Sequence, residues 1–237
     1  MTEASQFLEE GTNVNCDSVV GVAGRNGAAC GSSDFLGVSV NARLDSGMQL
    51  GGGVDTGRTV VDRCFVIDSP QELLHCRIVT PFKAQTQLKA FISYPLPGDF
   101  ALSGTYQNLP GASFQANYPA PNAEVVPSLG RDLAGCGART GAACTATAVV
   151  PLIAPMTQFL ERRSQLDLRL TKRLQLGPRA RLQMVLDIYN VLNASTVLAV
   201  NSTYGPAWQR PASDNSIGGV DPILPGRLMQ IGGQFSF

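Results

Sequence analysis

The segment SQLDLRLTKRLQLGPRARLQMVLDIYNVLN runs from Ser164 to Asn193 and has the clearest periodic pattern in the chain. In its first half every second residue is apolar except at Lys172; the apolar set is Leu166, Leu168, Leu170, Leu174 and Leu176. After Gly177-Pro178 the alternation resumes, with Val185 as its one exception; the apolar set here is Leu182, Met184, Leu186 and Ile188. A period of two broken by Gly-Pro predicts a β-hairpin whose strands each have one apolar and one polar face.

The two strands of this hairpin are long, at roughly ten to thirteen residues each. Strands in soluble proteins usually have about five or six residues, and strands that cross a membrane need about nine to eleven. A membrane-crossing strand turns its apolar face to lipid and its polar face to a lumen. A soluble sandwich shows the same alternation with the apolar face turned inward. The hairpin alone therefore leaves both architectures open.

The composition excludes several classes of protein. The 237 residues carry no net charge and only 15% are charged, so there is no electrostatic field to attract nucleic acid. No apolar run approaches the roughly 18 residues of a transmembrane helix, so a membrane protein of this composition has to be a barrel. The chain has one histidine, His75, and no nucleophile-elbow, zinc-protease or phosphate-loop motif. We therefore predict no enzyme activity, no metal site and no cofactor.

The six cysteines are near neighbours in pairs, in segments without strand alternation. The pairs are Cys16 with Cys30, Cys64 with Cys76, and Cys136 with Cys144. Many connectivities are possible, and the local one is favoured because each pair closes a short loop of its own. The spacings do not match zinc ligands. We interpret the cysteines as three disulfides, which indicate an oxidising compartment.

Further alternating segments bring the predicted number of strands to about seven. They cover residues 36–44, 48–57, 84–94, 100–107, the two halves of the hairpin, and 227–237, while residues 1–35 are expected to be irregular. The connections alternate in length: 45–47, 95–99 and 177–179 are short, and 59–82, 119–163 and 194–225 are long. Outer-membrane barrels have short periplasmic turns and long external loops. This regularity favours an antiparallel up-and-down transmembrane β-barrel.

Three segments resemble the C-terminal end of TonB-dependent outer-membrane receptors, in particular those that carry a carboxypeptidase-regulatory-like domain. They are the hairpin with its YNVLN motif (Tyr189 to Asn193), NSTYGPAWQRP (201–211) and ILPGRLMQIGGQFSF (223–237). The resemblance covers about residues 36–237 and implies a bacterial outer-membrane location and energised uptake of a scarce nutrient, such as a siderophore or a carbohydrate. Ile231, Phe235 and Phe237 resemble the terminal signal that the barrel-assembly machinery recognises.

The resemblance also predicts the domain organisation and the partners. Receptors of this kind have a barrel of about 22 strands filled by an N-terminal plug. We therefore expect residues 36–237 to be a C-terminal fragment of such a barrel, an open curved sheet in contact with outer-membrane lipid. Residues 1–35 are expected to be an extracellular loop segment. The TonB complex is expected to be contacted only through N-terminal parts that this sequence lacks.

The long loops contain the candidate ligand-binding residues. Aromatic rings, amides and a guanidinium suit a sugar or a siderophore, and the candidates are Tyr118, Asn201, Tyr204, Trp208 and Arg210. An alternative from another class is a secreted, disulfide-stapled β-sandwich that serves in binding or adhesion. The apolar face distinguishes the two, because a barrel exposes it and a sandwich buries it against a second sheet. The test residues are Leu166, Leu168, Leu170, Leu182, Met184, Leu186, Met229 and Ile231.

Overall fold

The structure, a computed structural model, describes residues 3–20, 26–64, 73–178, 180–211 and 222–237. One antiparallel sheet dominates it, and its strands are hydrogen-bonded in the order in which they occur along the chain. They are β1 (Glu3–Val20), β2 (Asn26–Arg43), β3 (Gln49–Asp62), β5 (Gln87–Leu96), β6 (Phe100–Leu109), β9 (Arg163–Gln175), β10 (Arg181–Tyr189) and β11 (Leu228–Ser236). A short strand, β4 (Arg77–Thr80), also pairs with β3. In the described residues β1 and β11 do not pair, so the all-β, up-and-down sheet is open.

The connection between β6 and β9 contains secondary structure of its own. Strands β7 (Asn117–Pro121) and β8 (Thr147–Pro151) form a separate antiparallel pair. Helix α1 (Phe82–Gln85) precedes β5, and helix α2 (Asn122–Leu129) follows β7. Two 3-10 turns, Ala134–Cys136 and Gly141–Ala143, complete this connection. Among the described residues, no helix has the length and hydropathy needed to cross a membrane.

The expectation of irregular structure over residues 1–35 is wrong for residues 3–20 and 26–35, which are strands, and its other residues lie outside what the structure describes. Strand β1 pairs with β2 over its whole length, from Glu3 opposite Arg43 to Val20 opposite Asn26. The segment lacks a sustained apolar alternation, but antiparallel pairing uses backbone groups that every residue except proline has. Sequence periodicity detects a strand only where one face has to be apolar, and here that signal is weak.

Several predicted boundaries also need correction. Strand β3 extends to Asp62, and β4 lies inside the predicted connection 59–82. Helix α1 occupies residues that were expected to begin the strand at 84, so β5 begins at Gln87. Strand β6 ends at Leu109, because Pro110 has no N–H to continue the ladder.

The register separates an apolar face from a polar face. Leu170 lies opposite both Leu102 and Leu186, and Leu186 lies opposite Ile231. Arg169, one residue from Leu170, lies opposite both Ser103 and Asp187. Because directly opposed residues point to the same side of a sheet, one side is apolar and the other polar.

The apolar face has no cover within the described part of the chain. The hydrophobic residues that are buried there all lie in connections: Ala116, Ala120, Cys136 and Leu224. Of the eight test residues, Met184, Met229 and Ile231 are 41%, 66% and 83% exposed, and the five leucines are partly exposed. A β-sandwich requires these side chains to be buried by a second sheet, and in the described residues no such sheet covers them.

The connections divide by length between the two ends of the strands. At one end of the sheet, here called the short-turn end, tight turns join β2 to β3, β5 to β6 and β9 to β10. Hydrogen bonds from Leu44 N to Met48 O and from Leu176 N to Ala180 O, both 2.9 Å, close two of them. The opposite end, here called the long-connection end, carries the segments between β3 and β5, β6 and β9, and β10 and β11.

Candidate functional site

A network of charged and polar side chains joins β9, β10 and β11 on the polar face. Arg169 donates from Nε to Oδ1 of Asp187 at 2.5 Å and from Nη2 to Oδ2 at 2.9 Å. Asp187 is only 4% exposed, although more than half of the Arg169 side chain is exposed. The Tyr189 hydroxyl lies 3.5 Å from Oδ2 of Asp187 and 3.4 Å from Oε1 of Gln230. The bidentate ion pair fixes two neighbouring strands in register.

Asp167, another charged residue on this face, takes a different role. Its Oδ1 accepts hydrogen bonds from the backbone N–H of Asn190 at 2.7 Å and from Nε2 of Gln165 at 3.0 Å. The carboxylate therefore supports the backbone where β10 leaves the sheet, and it is not the partner of Arg169.

The YNVLN motif holds together the two ends of the connection from residue 190 to residue 227, which we call the neck of this connection. Asn190, 2% exposed, donates from Nδ2 to the carbonyl oxygens of Ala194 and Pro225, both at 2.8 Å, and accepts from Ala194 N at 2.9 Å. Asn193 Oδ1 accepts from Arg227 N at 3.0 Å. Both asparagines have φ of 51°, a region that asparagine tolerates better than most residues. Two side chains thus tie the entry of this connection to its exit.

Two long connections pack together above the sheet. The indole Nε1 of Trp208 donates to the carbonyl oxygen of Gln115 at 2.9 Å. Tyr204 N donates to Asn117 O at 2.9 Å, and Asn117 N donates to Ser202 O at 2.8 Å. The segment before β7 and the segment 201–210 therefore form one layer at the long-connection end.

Four of the five candidate ligand residues lie in that segment, which we call the 201–210 turn. The rings of Tyr204 and Trp208 are 5.6 Å apart at an interplanar angle of 55°. Asn201 holds the turn, because its Oδ1 accepts from Thr203 N and its Nδ2 donates to Ala207 O. The Tyr204 ring is 49% exposed, and Arg210 is also exposed. Of the four candidates in the turn, these two are the exposed ones.

Tyr118, the fifth candidate, lies on β7 beside this layer. Its hydroxyl donates to Oε2 of Glu124 at 2.8 Å. That hydrogen bond, with smaller effects from desolvation and from the carboxylate charge, raises the pKa of the phenol above its ordinary value. Tyr118 is therefore held against α2 as a neutral donor.

Disulfides close two of the long connections. Cys64 is bonded to Cys76 between β3 and β5, and Cys136 is bonded to Cys144 between α2 and β8. The side chains of Cys16 and Cys30 lie outside what the structure describes, although the register sets the two residues opposite each other.

Two of the proposed assembly-signal residues, Ile231 and Phe235, lie on the apolar face of β11, which is an edge strand within the described residues, and Phe237 directly follows it. Ile231, Phe235 and Phe237 are 83%, 55% and 96% exposed. The rings of Phe235 and Phe237 are stacked, with centroids 5.8 Å apart. Among the residues that the structure describes, no group of three or more histidine, cysteine or carboxylate side chains is placed to hold a metal ion.

The sequence analysis missed Phe91, an aromatic residue on the polar face of β5. It lies opposite Gly51 of β3 and is 44% exposed. Its position in the alternation and the facing run Gly51-Gly52-Gly53 were the available signals. Its ring is therefore an apolar, partly exposed surface on the polar face, opposite positions of β3 that have no side chains.

Comparison with known proteins finds similarity among solved structures. No family model matches the chain, and no curated protein matches it in sequence. Among solved structures it is similar to the outer membrane transporter YddB from Escherichia coli, with a TM-score of 0.46 and 11% sequence identity. The alignment covers 100% of this chain and 30% of that chain, so this chain spans less than a third of the transporter's length.

Proposed function

We propose that the chain is part of the β-barrel of an outer-membrane transporter. The uncovered apolar face of the large sheet carries this proposal. Burying apolar surface is worth about 25 cal/mol per Å², so a face of leucine, isoleucine and methionine is costly to leave in water. A lipid bilayer supplies the missing cover, and the polar face then lines an aqueous lumen.

The strand lengths support the same arrangement. Strands β5 and β6 have 10 residues, and β10 and β11 have 9, close to the roughly nine to eleven that cross the hydrocarbon layer. Strands β1 and β2 have 18 residues each and exceed that length. Their additional residues extend beyond the long-connection end, which is the outer side in barrels of this class. Part of residues 1–35 is therefore extracellular, as a projecting hairpin.

The open edges extend the proposal to a larger barrel. Strands β1 and β11 each present an unpaired edge within the described residues, and barrels remove such edges by closure. Further strands would pair with both. The resemblance of residues 36–237 to TonB-dependent receptors supports energised uptake of a nutrient through a barrel of about 22 strands. In this proposal the chain contributes no enzymatic step.

The first experiment tests location. An antibody against residues 194–225 is used on fractionated source cells, with and without heating of the outer-membrane sample before electrophoresis. We expect a heat-modifiable outer-membrane band well above the 25.0 kDa of this chain. A soluble product of 25.0 kDa contradicts the proposal.

The second experiment tests which face meets lipid. A fluorophore is attached at Ile92→Cys on the apolar face, or at Lys89→Cys on the polar face of the same strand, in outer-membrane vesicles. Quenchers carried by lipid acyl chains should quench the first fluorophore strongly and the second weakly. Equal quenching contradicts a lipid-facing apolar surface. Energy coupling is tested separately, by crosslinking the receptor that contains this chain to the TonB complex in living cells.

A further inference from the structure

The polar face has a concavity of about 490 Å³ that the preceding proposal does not use. Gly52 and Gly53 of β3 line its floor, and its walls come from β2, β5 and β6. The principal side chains are Ser39, Asn41, Asp55, Lys89, Phe91 and Gln107. The volume falls within the roughly 300–1,000 Å³ of small-molecule sites. Its lining comes from strands of the sheet and includes no residue of the 201–210 turn.

Glycine at position 51 makes the concavity possible. A Cβ built on Gly51 would lie 2.8 Å from Cζ of Phe91, a distance that side chains do not adopt. The Phe91 ring therefore rests on the bare backbone of β3, while 44% of its surface stays exposed to the polar side. The backbone beneath it preorganises this ring, so binding would cost little side-chain entropy.

The polar side chains around the ring favour a neutral ligand with many hydroxyl groups. The amide of Asn41 donates and accepts hydrogen bonds, as hydroxyl groups do. Lys89 and Asp55 contribute opposite charges, so there is no cationic cluster for a polyanion. Within the described residues no side-chain hydrogen bond engages Asn41, Asp55 or Lys89, and all three are exposed. They are available to a ligand that lies on Phe91.

We propose that this concavity, centred on Phe91, is a subsite for one or two sugar units of a neutral oligosaccharide on its way through the lumen. The apolar CH face of a sugar ring stacks on Phe91, and its hydroxyl groups bond to Asn41, Asp55 and Lys89. The inference rests on the proposed transport function, because the polar face lines a lumen only in a barrel. It names the substrate class and separates this subsite from the extracellular turn.

The test uses the complete receptor in outer-membrane vesicles and equilibrium binding of radiolabelled hexasaccharides of glucose and of xylose. Replacing Phe91 by alanine should weaken binding of at least one probe about tenfold, the expected loss for an aromatic stacking contact. Phe91→Tyr should restore affinity to within about threefold, since it keeps the ring. Ile92→Ala, on the lipid side of the same strand, is the matched control and should leave binding unchanged.

The outcomes separate the two proposals. If the unmodified receptor gives no heat-modifiable outer-membrane band, the transport proposal is overturned, and this inference with it. If that band is present, wild-type binding of neither hexasaccharide overturns the carbohydrate subsite alone. Equal affinities of wild type and Phe91→Ala do the same and leave Phe91 as a cover for Gly51. Phe91→Ala should retain the heat-modifiable band, which shows that weakened binding is not a failure to fold.

Discussion

Asn190 gives the sharpest prediction about stability. Replacing it by alanine removes three hydrogen bonds, two to carbonyl oxygens and one from an N–H, at a side chain that is 2% exposed. Each bond contributes about 0.5–1.5 kcal/mol net. Alanine also tolerates the φ of 51° less well, at a further cost of about 1 kcal/mol. The neck of the connection should therefore lose about 2.5–5.5 kcal/mol of local stability.

Amide hydrogen exchange measures this loss directly. Leu198 N bonds to Pro222 O at 2.7 Å and Leu224 N bonds to Thr196 O at 2.9 Å, so both amides report on opening of the neck. Because about 1.4 kcal/mol corresponds to a tenfold change, a loss near 3 kcal/mol should speed their exchange on the order of 100-fold.

Three variants at or near this position separate the causes. Asn190→Gly removes the hydrogen bonds but accepts the positive φ, so its effect should be about 1 kcal/mol smaller than that of Asn190→Ala. Asn190→Asp keeps the acceptor but turns a carboxylate toward two carbonyl oxygens, and it should be as harmful as alanine. Leu192→Ala, at a 53% exposed position in the same turn, should have no effect. Exchange in Asn190→Ala within threefold of wild type would refute the role assigned to this side chain.

Three further predictions address other parts of the molecule. Asp187→Asn should lower the free energy of unfolding in detergent by about 1–2 kcal/mol, a discounted value because Arg169 is largely exposed; a double-mutant cycle with Arg169→Gln that shows no coupling contradicts this. Gly111→Ala places a Cβ against the backbone carbonyl of Leu160, which should cost about 1–3 kcal/mol of stability. The folded gel band of this variant should therefore disappear at a lower temperature than that of the wild type. Gly177→Ala, with nothing within 4 Å of the added Cβ, is its control and should match wild type. Because the folded pKa of Tyr118 is raised, its hydrogen bond contributes stability below the unfolded pKa of about 10 and loses it as pH rises through the folded pKa. The ultraviolet titration of the wild type minus that of Tyr118→Phe should show a step above the ordinary tyrosine pKa of about 10.

Sequence periodicity predicted the sheet wherever one face has to be apolar. The hairpin that contains Leu168 and Leu186 lies in the sheet as expected, and its two strands pair antiparallel. The local pairing of Cys64 with Cys76 follows from their spacing and is present in the structure. Alternation, turn residues and cysteine spacing are local signals, so one sequence suffices to read them.

Features that depend on distant contacts were not visible in the sequence. The pairing of β1 with β2 relies on backbone groups, and the short strands β7 and β8 lie too far apart in sequence to suggest each other. Likewise, Trp208 was predicted as a ligand candidate, but its indole bonds to Gln115, which is 93 residues away. The exposed position of Phe91 on the polar face was not predicted, because it depends on the pairing with Gly51 of another strand. Residue type indicated what each side chain can do, and tertiary contacts determine which of these roles remains open.

The agreement between strand order and chain order has a consequence for how such a sheet is built and changed. Every strand on the main path pairs with its neighbours along the chain, so each added hairpin needs only the previous one as a template. Assembly can therefore proceed hairpin by hairpin without threading one segment past another. Duplication or loss of one hairpin would likewise change the circumference of the barrel while leaving all remaining pairings intact.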